Sequence, residues 1–108
     1  MQADQMLHRI DHIAQHISDA TRLCESDPSL PQELKSSVSE LEKMSKEAQQ
    51  LLLTAEDEQV ILDCIDELEE LGDRAKRACE RTPNVDEELS ASIITAHDEL
   101  SELKHALH

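Results

Sequence analysis

Apolar residues recur along this chain at alternating steps of four and three. Met6, Ile10, Ile13, Ile17, Ala20 and Cys24 hold one stripe of an α-helix, widened by Leu7 and Ala14. The pattern predicts a first helix over about residues 3–25. Ser26-Asp27-Pro28-Ser29-Leu30 interrupts it as a turn. Leu34, Val38, Leu41, Ser45, Ala48 and Leu52 then predict a second helix over about 31–53, with Pro31 in its first turn, where a missing N–H costs little. Ile61, Ile65, Leu68, Gly72, Ala75 and Cys79 form the seam of a third helix over about 56–81, widened by Val60, Cys64, Leu71 and Ala78. Thr82-Pro83-Asn84-Val85 is the next turn. Leu89, Ile93, Ala96, Leu100, Leu103 and Leu107 mark a fourth helix over about 86–107, capped by Asp86. Leu30 and Val85, just before the second and fourth helices, have the character of hydrophobic staples.

The pattern also repeats. Residues 1–53 laid on 56–108 without a gap give thirteen identities in 53 pairs. A composition this biased would give roughly three to five by chance, so a duplication is expected. Heptad phase can put leucine on leucine. It does not account for Arg22, Cys24, Glu25 and Pro28 recurring as Arg77, Cys79, Glu80 and Pro83, at a helix end and in a turn. The chain is therefore expected to be all-α. It reads as a single domain over residues 1–108, an up-down-up-down four-helix bundle built from a tandem duplicated helical hairpin.

The join between the hairpins is the weakest point of this reading. Thr54-Ala55-Glu56-Asp57 contains neither Gly nor Pro, though Thr54 and Asp57 resemble a capping box. One continuous helix from about 31 to 81 is the alternative, and it would need a dimer to cover its apolar stripes. The phase of the pattern favours the turn, because the apolar face rotates by about 100° at the join.

Composition narrows the picture. The chain has no Phe, Trp or Tyr, so its core must be aliphatic, with Ala, Ser, Cys and Met allowing close helix approach. A formal charge of −15 argues against nucleic acid and anionic membrane surfaces and leaves room for a basic protein partner. No apolar run is long enough to span a bilayer, and the first residues lack a signal-like pattern, so a cytoplasmic location is expected. The three cysteines lack metal or redox spacing and read as reduced thiols acting as small hydrophobes. Across a bundle diagonal, Cys24 and Cys79 would be ~13 Å apart, too far for a disulfide.

Candidate chemistry is sparse. His8, His12 and His16 share one helix face at i, i+4, i+8, a spacing at which imidazoles can chelate zinc or nickel. Wheel arithmetic points this stripe to solvent, and its counterparts after the 55-residue shift are Asp63, Glu67 and Leu71. Glu102 and His105 form one E-x-x-H, where a di-iron bundle needs two with further inward Glu. His97 invites comparison with histidine phosphotransfer bundles, but the Lys and Gly of their His-x-x-Lys-Gly are missing: Asp98, Glu99, Leu100 and Ser101 follow. Gly72 in mid-helix implies close helix approach or a small cavity. Leu62 and Ile94 project outward and are candidate partner contacts.

With one glycine and short turns, little loop material remains for an active site. The expected function is that of a non-enzymatic acidic interaction module: an adaptor, regulator or inhibitor of a basic partner, monomeric or homodimeric, with no cofactor. The alternative is a bundle binding zinc or nickel through the histidine stripe.

Overall fold

At the two hairpin turns the helix ends are set by residues that cannot prolong them or that satisfy their free backbone groups. A computed structural model describes residues 3–54 and 57–107. They form α1 (Ala3–Glu25), α2 (Gln32–Thr54), α3 (Glu58–Arg81) and α4 (Glu87–Leu107), with no strand among them. After α1, the Asp27 N–H bonds back to the Cys24 carbonyl at 3.3 Å. Asp27 Oδ1 then accepts from the Ser29 N–H at 3.0 Å, tying the turn that leads to Pro31. Pro31 lies one residue outside α2, not in its first turn, and its carbonyl accepts from the Lys35 N–H. In the second hairpin the Thr82 N–H bonds to the Cys79 carbonyl, and Asn84 takes the left-handed conformation (φ 59°) that Asn tolerates better than most residues. Asp86 caps α4: its side chain accepts from the Glu88 N–H at 2.8 Å.

The two hairpins run in register. α2 and α4 begin at residues 32 and 87, an offset of 55. The bonds closing each turn, 27 to 24 with 82 to 79, and opening each second helix, 35 to 31 with 90 to 86, keep the same offset.

The join is a reversal. α2 and α3 are separate helices that pack on each other, and the long axis is 43 Å, whereas an unbroken helix from 31 to 81 would span ~76 Å. Ala55 and Glu56 lie outside the described residues. The expected Thr54–Asp57 capping box does not form. Asp57 alone caps α3 by accepting from the Gln59 N–H, while the Thr54 hydroxyl bonds to the Gln50 carbonyl of its own helix.

Packing follows the apolar stripes. α1 touches α2 and α4, and α3 touches α2 and α4, while the diagonal pairs stay apart among the described residues. Each helix thus has two neighbours, as in an up-down-up-down bundle. The α1 seam is buried throughout, Met6 to Cys24. Leu34, Val38, Leu41 and Ala48 meet it from α2, and Leu89, Ile93, Ala96, Leu100 and Leu103 from α4. Some members of the predicted stripes are only partly covered. Leu52, Ile61, Leu71 and Leu107 are half-buried, and Val60, in the first turn of α3, is exposed. The polar Ser37 and Ser45 are buried, but each hydroxyl donates 2.8 Å to a carbonyl of its own helix (Glu33 and Glu42), so neither leaves an unpaired group.

Gly72 shows how an aromatic-free core is filled. A Cβ there would meet Leu100 Cδ1 at 3.3 Å and His97 Cα at 3.7 Å. α4 therefore closes over the glycine, and the space beside it is occupied by His97 and Leu100 instead of a cavity. The 55-residue offset places Ile17 and Ser45 where the second hairpin has Gly72 and Leu100, so the large and the small residue are exchanged. Gly72→Ile should overpack this contact and cost about 1–3 kcal/mol. Combined with Leu100→Ser it should recover about 1 kcal/mol or more relative to the sum of the two single changes, measured as a urea double-mutant cycle. Additive losses would show that the pairs are not interchangeable.

Candidate functional site

The groove between α1 and α4 gathers the chain's most concentrated donor chemistry. His12 and His16 lie one turn apart on α1. Glu99 reaches them from α4, its Oε1 and Oε2 at 3.1 and 3.2 Å from His12 Nδ1. The two imidazoles stand edge to face, ring centroids 4.9 Å apart. Arg9, next in sequence to the core residue Ile10, extends the same boundary by pairing with Glu102 at 3.7 Å.

The histidine stripe is thus not wholly turned to solvent. His8 and His12 are exposed, but His16 is half-buried, because α4 packs against that flank of α1. His8 lines the groove with Arg9, His12, Glu99 and Glu102 but does not join the His12, His16 and Glu99 cluster. Glu99 had no signal in the sequence as a partner of the stripe. Its role depends on the register of α1 against α4, which periodicity does not specify.

A second polar cluster surrounds His97. Its side chain is 13% exposed and lies over Gly72. Nε2 is 3.6 Å from Asp73 and 3.9 Å from Glu69, both on α3, and Nδ1 is 3.4 Å from Asp98. Lys104 reaches Glu69 at 3.4 Å and balances part of this negative charge. His97 is therefore a boundary histidine joining α3 to α4. Asp98 and the α3 carboxylates around it would oppose a phosphoryl group on the imidazole. His105 and Glu102 are both exposed, so the E-x-x-H pair does not point into the bundle.

The candidate contact residues separate. Ile94 is exposed at 36%, as its outward position predicts. Leu62 is half-buried, contrary to expectation. It lies on the flank of α3 that carries Glu69 and Asp73, at the side of the helix between its buried seam and its outer face. Glu69 lies level with Lys104, and Asp73 with His97, which puts Leu62 and Ile94 at levels roughly 20 Å apart along the bundle. They do not make one patch. Among the described residues the most exposed large apolar side chain is Leu53 at 67%, near the end of α2.

All three cysteines are free and buried. Burial pushes the Cys24 thiol up to about 11, with smaller upward contributions from Cys79, Asp27 and Glu25 against a downward one from Lys35. Burial also pushes Cys64 up to about 11, aided by Glu67 and Glu47. Its Sγ donates to Met44 Sδ at 3.9 Å. Protonated thiols in such surroundings are poor nucleophiles. Beside Cys24, a depression of ≈ 600 Å³ opens between α1 and α2, lined by Thr21, Glu25, Lys35 and Glu40 among others.

In comparison with known proteins, no family model matches the chain, and neither a curated protein nor a solved structure matches it significantly.

The thiols predict an alkaline limit to stability. Unfolded, Cys24 and Cys64 ionise near 9.0; folded, they keep their protons to about 11. Their contribution is complete below pH 9 and is lost as pH rises toward 11, because the unfolded chain releases protons that the folded chain retains. The urea midpoint should fall more steeply over this window in the wild type than in a Cys24→Ala/Cys64→Ala variant. Parallel profiles would remove the thiols as the cause.

Proposed function

We propose that the chain is a non-enzymatic, acidic helical-bundle module that acts in the cytoplasm by binding a basic protein partner, as adaptor, regulator or inhibitor. The observation that carries this reading is the outer face of α3. Asp63, Glu67 and Glu70 follow one another there at helical spacing, all exposed and without an ion pair among the described residues. No Lys or Arg occurs between Lys46 and Arg74, a stretch with ten carboxylates. Acidic residues in the first turn and basic ones in the last suit the helix dipole. That effect fades within a turn and does not account for Glu67 or Glu70.

Elsewhere the bases are already engaged. Among the described residues, seven of the ten (Arg9, Arg22, Lys46, Arg74, Arg77, Arg81 and Lys104) pair with carboxylates of the same chain. The remaining surface is strongly negative, which steers a basic partner and repels phosphate backbones. No helix among the described residues is long and apolar enough to cross a membrane. Short turns and local satisfaction of buried hydroxyls support a binding role over catalysis. The common 55-residue offset of helix starts and turn hydrogen bonds supports an origin by duplication of one hairpin.

Affinity capture with the wild-type chain and with Asp63→Asn/Glu67→Gln/Glu70→Gln tests the reading. The expected partner has a basic surface. Its capture falls sharply between ~0.1 and ~1 M salt, as the Debye length drops from about 10 to about 3 Å. It falls also with the neutralised variant at low salt. A partner held equally by both chains and insensitive to salt would overturn the acidic-face reading.

A further inference from the structure

One ligand atom from each of His12, His16 and Glu99 lies within 4.8 Å of the other two. We propose that these side chains form a binding site for one divalent first-row transition cation of the zinc, nickel or cobalt class, joining the first helix of the bundle to the last. The site is separate from the acidic face of α3 and does not depend on it.

The donor set selects the class of ion. Two imidazole nitrogens and one carboxylate oxygen suit zinc and its neighbours. Magnesium and calcium favour sites made of oxygen alone. His12 and His16 at i, i+4 supply two ligands from one helix face, and Glu99 supplies the third from across the groove. A tetrahedral ion with bonds near 2.0–2.1 Å needs ligand atoms about 3.4 Å apart. His12 Nδ1 and the Glu99 oxygens, at 3.1 and 3.2 Å, already meet this. The remaining closure is of the order of an ångström and falls to His16, whose ring is in edge contact with His12.

Access is open. The His12 side chain is 62% exposed and that of Glu99 26%, so an ion enters from solvent and water can complete its coordination. A His12–Glu99 hydrogen bond alone would account for two of the three groups. It does not account for a second imidazole held against the first. His8 is a weaker candidate than His16. It shares its part of the groove with Arg9, whose guanidinium, pairing with Glu102, places a positive charge beside any ion bound there.

Calorimetric titration of the reduced, chelator-treated full chain with Zn²⁺, in excess Mg²⁺ to occupy the acidic surface, tests the proposal. One ion per chain is expected. His12→Ala, His16→Ala and Glu99→Gln should each weaken it at least ~10-fold, and His8→Ala should leave it unchanged. Because the ion bridges α1 and α4, Zn²⁺ should raise the Tm of the wild type and of His8→Ala but not of Glu99→Gln. Circular dichroism checks that each variant keeps its helices. Absence of stoichiometric binding overturns the proposal. So does binding that survives the His16 and Glu99 changes, which would place the ion on the thiols or elsewhere, and so does loss of binding on His8→Ala, which would place it on α1 alone.

Discussion

The structure depends on filling an interior without Phe, Tyr or Trp. A helix bundle keeps its neighbours at 8–10 Å only if side chains interdigitate at crystal-like density. Aliphatic residues alone leave the layers unequal unless small residues face large ones. Gly72 under Leu100 is the clearest case, and the exchange to Ile17 and Ser45 repeats it with the sizes reversed. Leu41 and Ala48 on α2 likewise correspond to Ala96 and Leu103 on α4, all four buried. Volume is therefore balanced between the hairpins as well as within each. Cysteine and serine join this packing as small residues, the serines with their hydroxyls returned to the backbone.

Ion pairs set orientation within that frame and contribute little to its free energy. Exposed pairs are typically worth about 0–1 kcal/mol. Arg74–Glu40 and Arg81–Glu33 link α3 to α2, Arg9–Glu102 links α1 to α4, and Lys104–Glu69 links α3 to α4. Their geometric consequence is larger than their energy. They spend four of the chain's ten bases on its helix interfaces, and the excess negative charge is left facing outward.

What the sequence made legible is what periodicity and turn chemistry control. The α1 seam, the cap at Asp86 and the four-helix order all follow from local residues, because a stripe at helical spacing can be buried only against similar stripes. The partial burial of Leu62 was not legible, since a residue on a helix flank is covered or left open by its surroundings and not by its own spacing. Nor was the cap of α3: Thr54 finds its own helical carbonyl, and Asp57 needs no partner to cap. Glu99 was invisible for the same reason as Leu62. A contact across 87 residues of chain is fixed by how two helices slide against each other, and no local spacing encodes that.

The two halves differ at their helix boundaries. Under the 55-residue offset, the positions of His12, His16 and Glu99 correspond to Glu67, Leu71 and Met44. On that side Leu71 and Met44 pack against the core, and Met44 meets the Cys64 thiol. The α2/α3 boundary is thus sealed by apolar and sulfur contacts at the level where the α1/α4 boundary carries imidazoles and a carboxylate. Both solutions bury the same seam residues beneath them, Ile13 and Leu68 being equivalent and fully covered. Polar groups at the α1/α4 boundary therefore stand where the α2/α3 boundary has apolar packing. That boundary has less apolar contact and three donors brought close together.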